Sequence, residues 1–411
     1  MKVVTVGTGM AAAEFVQQLR LGGFDGDIVM CSAETHAPYS PCVIPYLLAG
    51  EPADNVFWKG RDFYRRYRVT ARLGDPVVEI DRQHTRLRTA QGRVEPYDRL
   101  FFAPGSHSWS PCRDWLDVAG VFGFKTLSDM QAIDGHIRTQ GVQRAVVIGG
   151  GFIGLDAALA LRHRGLQVSL VHCHERLLER MTDVDGGRFA TEQLAQRSGI
   201  DLYLSSEVAT VTARNGQACG VRLRNGRDID AALVIVATGF VPNSAPLTGA
   251  EQGIAVGDDL LAEARILAAG DVAVTRHALD GPAGLYATAP NAIAQARVAA
   301  AYVLGGQARY AGSLNANVLR KHLDFPIVSA GRFEGEAVTF RNQRLFRRVY
   351  LQEGRIHGYI LIGDTRLAGY IYNLYLTREP VAAAIGGVLA DTRGESYYRS
   401  MLNLAPAGAR P

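Results

Sequence analysis

The sequence predicts an α/β fold in which parallel strands alternate with helices. Two segments support this class, because each runs from an apolar strand through a glycine loop into an apolar helix. The first starts with the strand at residues 2–6 and the second with the strand at residues 145–148. Another apolar strand begins about 20 residues after each loop, at residues 27–30 and 167–171. Strands and helices in this order predict parallel sheets.

Both glycine loops have the G-x-G-x-x-G/A spacing of dinucleotide-binding units. The first glycine makes the tight turn, the second lets a phosphate approach the backbone, and the third small residue lets the helix pack closely on the strand. A pyrophosphate would then meet the free N–H groups of a helix N-terminus. One genuine site and one structural turn is the alternative. The predicted binding residues are Gly7, Thr8, Gly9, Met10, Ala11 and Ala12 in the first loop, and Gly149, Gly151, Phe152, Ile153 and Gly154 in the second.

An acid at the end of the second strand should bind the ribose hydroxyls of each dinucleotide. In the first unit we predict Glu34, with Ser32 at the more usual distance. In the second unit His172 takes the usual place, and Glu175 follows three residues later. Glu175 would bind a 2′-hydroxyl, whereas the neighbouring basic side chains would suit a 2′-phosphate, so NAD is favoured and NADP stays open. The alternative is that these residues are solvated side chains at a strand end and bind no nucleotide.

Length and composition indicate a folded protein of two or three domains. There are 411 residues, of which 47% are hydrophobic and 20% charged, and a domain has roughly 150 residues. The densest apolar run, at residues 231–241, is shorter than the roughly 20 residues of a membrane span. The net charge of +4 comes from scattered arginines, which predicts neither nucleic-acid nor membrane binding. The start of the chain does not resemble a signal peptide.

The five cysteines form no C-x-x-C pair. This argues against a disulfide framework, a zinc ribbon or an iron–sulfur cluster in the chain, and favours a reducing cytoplasm. No metal site is expected, because the histidines show no metal-ligand spacing beyond the pair His172 and His174.

Further motifs carry a resemblance that extends over residues 1 to about 310. They are Tyr97-Asp98-Arg99-Leu100-Phe101-Phe102-Ala103-Pro104-Gly105, Ala237-Thr238-Gly239-Phe240-Val241-Pro242-Asn243 and Leu267-Ala268-Ala269-Gly270-Asp271. In this order they resemble the FAD- and NAD(P)-dependent pyridine nucleotide-disulfide oxidoreductases. Coenzyme A disulfide reductase, NADH oxidase, rubredoxin reductase and the flavin module of nitrite reductase belong to that family.

The resemblance implies that the first loop binds FAD and the second NAD(P)H. It implies that Asp271 accepts a hydrogen bond from the ribityl chain and that the backbone of Val77 contacts the adenine. Ala103 and Gly105 would border the FAD, and Gly239 the NAD. The family's glutamate that orients the nicotinamide amide is replaced here by Asp156.

The family's architecture implies two Rossmann-like dinucleotide-binding domains, one inserted in the other, and a small α+β C-terminal domain. The FAD domain would comprise residues 1–113 and 245–315, and the NAD(P) domain residues 114–244. Residues 316–411, with strand-like runs at 348–351 and 357–363, would serve packing, dimerisation or partner binding.

Cys42 lies where coenzyme A disulfide reductase has a single redox cysteine facing the flavin, so a catalytic thiol is one hypothesis. Met10 replaces the peroxidases' histidine, and Tyr46 stands at the place of the ferredoxin reductases' lysine. The motif P-Y-S-P-C-x-x-P-Y at residues 38–46 is most similar to that of flavoprotein subunits that link NAD(H) to an iron–sulfur partner, such as that of phenylglyoxylate dehydrogenase.

Three functions follow from these patterns. The first is an NAD(P)H:acceptor oxidoreductase that exchanges a hydride between NAD(H) and FAD and passes electrons to a separate electron-transfer or iron–sulfur protein, as a homodimer or hetero-oligomer. The second is a thiol–disulfide reductase or NADH oxidase that uses Cys42. The third is a flavoprotein subunit without catalytic activity. Flavin and nicotinamide carry the redox chemistry themselves, so the hydride step requires no side-chain acid or base.

Overall fold

Both predicted strand–loop–helix segments form parallel β-sheets in the computed structural model, which describes residues 1–52, 56–279, 281–381 and 385–390. The chain divides into two units. Unit 1 comprises Met1–Leu116, Phe122–Thr139 and Thr238–Leu314, and unit 2 comprises Asp117–Val121, Gln140–Ala237 and Asn315–Pro411.

The described strands are, in chain order, β1 (Lys2–Val6), β2 (Asp27–Ser32), β3 (Val69–Leu73), β4 (Val77–Asp81), β5 (Arg86–Thr89), β6 (Val94–Pro96), β7 (Arg99–Phe102), β8 (Ser106–Ser108), β9 (Val121–Gly123), β10 (Arg144–Ile148), β11 (Gln167–Val171), β12 (Asp201–Tyr203), β13 (Val208–Arg214), β14 (Gln217–Leu223), β15 (Asp228–Asp230), β16 (Leu233–Val236), β17 (Phe240–Pro242), β18 (Ile254–Ala255), β19 (Leu261–Glu263), β20 (Ile266–Ala268), β21 (Ala273–Thr275), β22 (Gly284–Leu285), β23 (Ala316–Leu319), β24 (Ile327–Gly331), β25 (Glu336–Arg341), β26 (Phe346–Gln352) and β27 (Arg355–Ile362). The described α-helices are α1 (Met10–Leu21), α2 (Ile44–Leu48), α3 (Phe63–Arg66), α4 (Leu127–Gln140), α5 (Phe152–His163), α6 (Val184–Arg197), α7 (Ala245–Thr248), α8 (Ala289–Val303), α9 (Ala368–Thr377) and α10 (Ile385–Ala390).

The main sheet of unit 1 has six strands in the order β19-β20-β7-β1-β2-β3. β1 pairs in parallel with β2 on one side and with β7 on the other, and β19 runs antiparallel to β20 at the edge. Parallel strands are buried on both faces, which explains why β1 and β7 are almost continuous apolar runs. The predicted α/β fold class is confirmed.

Apolar residues cover both faces of this sheet. On one face α1 and α8 pack together, and the ring of Phe15 on α1 stacks on Phe101 of β7 with centroids 4.0 Å apart. The neighbouring residue Leu100 points to the opposite face, where it meets Val77 and Leu87 from the small sheet β4-β5-β6. The side chain of Val77 is therefore part of the hydrophobic core.

The glycine-loop sheet of unit 2 contains parallel strands in the order β12-β11-β10-β16. Its central strand β10 lies directly before the second glycine loop, as β1 lies directly before the first. The two predicted dinucleotide folds thus share the same local order of strand, loop and helix.

The C-terminal part of unit 2 is an antiparallel sheet in the order β23-β24-β27-β26-β25, with α9 packed on β27. β26 and β27 confirm the strands predicted near residues 348–351 and 357–363. Arg347 is buried in this layer, where it pairs with Asp364 at 2.8 Å and donates to the carbonyl of Leu389. Throughout the described ranges, no helix has both the length and the apolar character needed to span a bilayer.

Candidate dinucleotide sites

The first glycine loop is shaped by contacts that only glycine tolerates. Gly7 has φ +99°, and a Cβ there would lie 2.2 Å from the carbonyl oxygen of Ala103. At Gly9, by contrast, no described atom lies within 4 Å of a Cβ position, so the space beside the N-terminus of α1 is open. Side chains within the described ranges do not cap this helix end. An open backbone cradle at a helix N-terminus fits a pyrophosphate.

The second glycine loop repeats this geometry. Gly149 has φ +117°, and its N–H donates to Val171 at the end of β11 over 2.9 Å. A Cβ at Gly154 would lie 1.9 Å from the carbonyl oxygen of Gly149, so the helix can approach the strand only with glycine there. Gly151 again faces space in which no described atom lies within 4 Å of a Cβ. The loop fits a second pyrophosphate.

Polar side chains at the end of β2 form a connected group beside the first loop. The hydroxyls of Thr8 and Ser32 lie 3.0 Å apart, and the N–H of Glu34 donates to Ser32. Tyr39 donates to the Glu34 carboxylate over 2.7 Å and accepts from the N–H of Leu127 over 3.0 Å. Burial raises the pKa of Glu34, and the hydrogen bond from Tyr39 opposes this. The structure thus places Thr8, Ser32 and Glu34 together beside the first loop.

The end of β11 is occupied by a buried histidine. His172 accepts the N–H of Gly150 at Nδ1 over 3.2 Å, so Nε2 carries the proton that it shares with Glu179, also at 3.2 Å. Burial lowers the pKa of His172, and Glu179 opposes this. The neutral imidazole therefore connects the glycine loop to a carboxylate.

Glu179 was not predicted from the sequence, because it lies seven residues beyond His172. Leu178, with φ +60°, turns the chain back, and its N–H donates to the carbonyl of Gly150. Glu175, which was predicted, is exposed and pairs with Arg188 on α6 at 2.9 Å. A backbone turn, which leaves no spacing signal, brings Glu179 rather than Glu175 against His172.

Asp271 is held by two donors in unit 1. Ser106 donates to its carboxylate over 2.5 Å and Lys125 over 2.9 Å. The ammonium of Lys125 also lies 4.8 Å from the centre of the Phe240 ring. Neither donor was predicted, since Ser106 and Lys125 are far from Asp271 in sequence.

The remaining predicted backbone positions also lie in unit 1. Ala103 is buried at the end of β7, and Gly105 has φ +72°. Gly239 has φ +145°, and its carbonyl accepts the N–H of Trp109. Gly239 was predicted for NAD but belongs to the unit that contains the first loop.

Asp156 is buried on α5, four residues into the helix that follows the second loop. Its Oδ2 accepts from Lys321 over 3.0 Å, whereas its buried Oδ1 has no hydrogen-bond partner among the described residues. Burial raises the pKa of Asp156, and Lys321 opposes this. This carboxylate can accept a further hydrogen bond.

Cys42 is exposed in the short 3₁₀ turn Pro41–Val43 that precedes α2. Cys31, in contrast, is buried in β2, and burial raises its pKa to about 12. A thiol is nucleophilic only as the thiolate, so Cys31 is inert.

The family comparison agrees with this geometry. Residues 1–296 match the model of the pyridine nucleotide-disulphide oxidoreductases. The chain belongs to this family. It is an oxidoreductase whose cofactors are FAD and NAD(H), which confirms the resemblance and the cofactors predicted from the sequence.

Individual relatives cover most of the chain. Rhodocoxin reductase from Rhodococcus erythropolis is 32% identical over 75% of this chain and 74% of its own length. Subunit epsilon of NADH-dependent phenylglyoxylate dehydrogenase from Aromatoleum evansii is 27% identical over 92% of both. The covalent complex of putidaredoxin reductase with putidaredoxin has a TM-score of 0.84 at 26% identity, over 95% of this chain and 96% of that one. This chain spans about half the length of two other relatives.

Proposed function

We propose that the chain exchanges a hydride between NAD(H) and FAD and passes single electrons from FAD to a separate redox protein, most simply an iron–sulfur protein or subunit. The observation that carries this proposal is the repeated glycine loop, with an open position at Gly9 and again at Gly151. Two such loops supply two dinucleotide sites in one chain.

The first loop, in the FAD domain of residues 1–113 and 245–315, holds FAD. Gly9 admits its pyrophosphate to the N-terminus of α1, and Glu34 binds its adenosine ribose. Asp271 accepts a hydrogen bond from the ribityl chain, and Ser106 and Lys125 fix the carboxylate for that contact.

The second loop, in the NAD domain of residues 114–244, binds NAD(H). The carboxylate of Glu179, held by neutral His172, favours a ribose 2′-hydroxyl over a 2′-phosphate, because two negative groups would repel. Residues 316–411 would bind the partner or a second copy of the chain.

The relatives' names support a separate acceptor. One is a rhodocoxin reductase, one is a subunit of an NADH-dependent dehydrogenase, and one structure contains putidaredoxin beside its reductase. The present chain has five cysteines without a C-x-x-C pair, which supports placing the acceptor's cluster outside these 411 residues. A cytoplasmic location accords with these thiols.

Anaerobic mixing of the FAD-loaded protein with NADH tests the hydride step. We expect the blue absorbance of the flavin to bleach, and to return when a [2Fe–2S] ferredoxin is added. A flavin that NADH does not bleach would contradict the proposal and indicate a flavoprotein subunit without catalytic activity.

Replacing Cys42 by serine separates the proposal from thiol-based reduction. Ferredoxin reduction should be unchanged in Cys42→Ser, as it should be in the control Cys219→Ser, which also removes an exposed thiol. Loss of acceptor reduction in Cys42→Ser alone, together with reduction of coenzyme A disulfide by the parent protein, would instead establish a thiol–disulfide reductase.

A further inference from the structure

Two histidines, His163 and His322, bring their imidazole rings together in unit 2. His163 is the last residue of α5, and His322 lies in the turn that follows β23. The ring centres are 4.6 Å apart and the ring planes are inclined by 35°. A nitrogen of one ring lies within 4.8 Å of a nitrogen of the other. The sequence could not predict this pair, because the two histidines are far apart in the chain.

The turn that contains His322 lies along one face of α5. Lys321, the residue before it, donates to Asp156 on α5 over 3.0 Å. Asp156 and His163 are seven residues apart, so they lie on the same face of the helix. His322 has φ +54°, a backbone conformation that few residues other than glycine adopt and that is concentrated at functional sites. The turn is therefore held against α5 at two places, the second of which is the histidine pair.

The spacing of the two imidazole rings suits a metal ion. Imidazole nitrogen is a preferred ligand of zinc, copper and nickel ions. Two such nitrogens on a tetrahedral zinc ion lie about 3.4 Å apart, since each Zn–N bond is about 2.0–2.1 Å long. The side chain of His163 is exposed, so a rotation of this ring can bring its nitrogen to that distance from His322. The pair can therefore bind one ion between the two rings.

A groove beside the pair can supply the remaining ligands of the ion. His163, His322 and Asp324 all line this groove, and Asp324 is exposed, so water reaches it. The basic side chains in the groove are Arg162 and Arg197, and Arg197 pairs with Asp324. The C-terminal end of α5 is the negative end of the helix dipole and favours a cation at His163.

We propose that His163 and His322 bind a divalent transition-metal ion of the zinc class, with water in the remaining coordination positions. The ion would join the C-terminus of α5 to the turn after β23 and would add to the link that Lys321 makes with Asp156. This inference does not depend on the proposed function, because His163 lies at the end of α5 opposite to the second glycine loop, roughly 16 Å along the helix axis.

Calorimetric titration with Zn²⁺ tests the site in the FAD-loaded protein, without a histidine tag and after treatment with EDTA and its removal. We expect the parent protein to bind one zinc ion. His163→Gln and His322→Asn should each weaken binding by about tenfold or more, because even the hydrogen-bond partners of metal ligands commonly account for about 10- to 100-fold in affinity. Asparagine is suited to position 322 because it tolerates the left-handed backbone.

His174→Gln is the matched control. His174 is also an exposed histidine of unit 2, and its ring centre lies 5.4 Å from that of a second histidine, His172. Zinc binding in this variant should equal that of the parent. Zinc should also raise the urea midpoint of the parent and of His174→Gln, because it binds the folded state, and should do so less in the other two variants.

X-ray absorption of the zinc-loaded protein identifies the ligand atoms directly. We expect two imidazole nitrogens at about 2.0–2.1 Å and no sulfur at about 2.3 Å. A sulfur ligand, a parent protein that binds no zinc, or zinc binding that is lost in His174→Gln but unchanged in His163→Gln and His322→Asn would overturn the inference. Circular dichroism identifies the variants that fold, and His163→Gln together with the absorption spectrum provides the test if His322→Asn does not.

Discussion

Glu14 and Asp156 occupy equivalent positions in the two dinucleotide folds, but they differ in the hydrogen bonds that they accept from the protein. Glu14 lies five residues after Gly9 and Asp156 five residues after Gly151, and both are buried and paired with a lysine. Glu14 accepts hydrogen bonds from Lys59, Gln18 and Arg297. Asp156 accepts one from the residues that the structure describes, and Lys321 donates it.

The difference in hydrogen bonding changes the protonation of the two acids. Burial opposes ionisation of Glu14, but the hydrogen bonds from Lys59, Arg297 and Gln18 outweigh it, so its pKa is lowered. At Asp156 burial prevails over the single lysine, and the pKa is raised. A carboxylate whose acceptor sites are filled by the protein contributes to structure, whereas one with a buried free oxygen is available to a ligand.

The largest expected effect compares the two lysines in the absence of pyridine nucleotide. Lys321→Met leaves a buried carboxylate unpaired and should lower the free energy of unfolding by about 3–5 kcal/mol at neutral pH. Lys59→Met leaves Glu14 with two other donors and should cost about 1–2 kcal/mol. Urea unfolding, with FAD at one fixed excess, measures both values.

The pH dependence of these losses sharpens the comparison. Without Lys321, the pKa of Asp156 in the folded state rises further above its unfolded value, so the folded state binds more protons as the pH falls. The deficit of Lys321→Met should therefore shrink in acid, and that of Lys59→Met should change less. Equal losses with equal pH profiles would show that the free oxygen of Asp156 has no energetic consequence.

The two strand ends give a second, smaller contrast. Beside the first loop Glu34 follows its strand directly, whereas beside the second loop the acid is Glu179, held by His172. Glu179→Gln removes the charge that repels a 2′-phosphate and should reduce the preference for NADH over NADPH by about tenfold, or about 1.4 kcal/mol. Dissociation constants for both nucleotides measure this.

Glu175→Gln is the matched control, since Glu175 lies on the same segment but pairs with Arg188 in solvent. Its effect on the preference should be less than about twofold, as is usual for an exposed pair. If Glu175→Gln changes the preference and Glu179→Gln does not, the residue predicted from the sequence binds the ribose after all.

The sequence predicted local geometry well and long-range pairing poorly. The strands and both glycine loops follow from short motifs, because a strand, a tight turn and a helix are specified by neighbouring residues. Lys125, Glu179 and Lys321 could not be found in this way. Lys125 and Lys321 are 146 and 165 residues from the acids they contact, and the turn at Leu178 that returns Glu179 to the loop has no fixed spacing.

The smallest expected effect concerns Tyr39, which donates a hydrogen bond to Glu34 beside the first glycine loop. Tyr39→Phe removes the donor to Glu34 and the acceptor of the Leu127 N–H, so the pKa of Glu34 should rise further and its carboxylate should bind the adenosine ribose less well. The dissociation constant of FAD should increase by a factor of about three to ten, as expected for the loss of one hydrogen bond worth about 1 kcal/mol. Tyr310→Phe is the control, because the Tyr310 hydroxyl, also in unit 1, pairs with Ser313 instead, and FAD binding should be unchanged. Equal FAD affinities in the parent and in Tyr39→Phe would mean that the Glu34 carboxylate binds the adenosine ribose without the hydrogen bond from Tyr39.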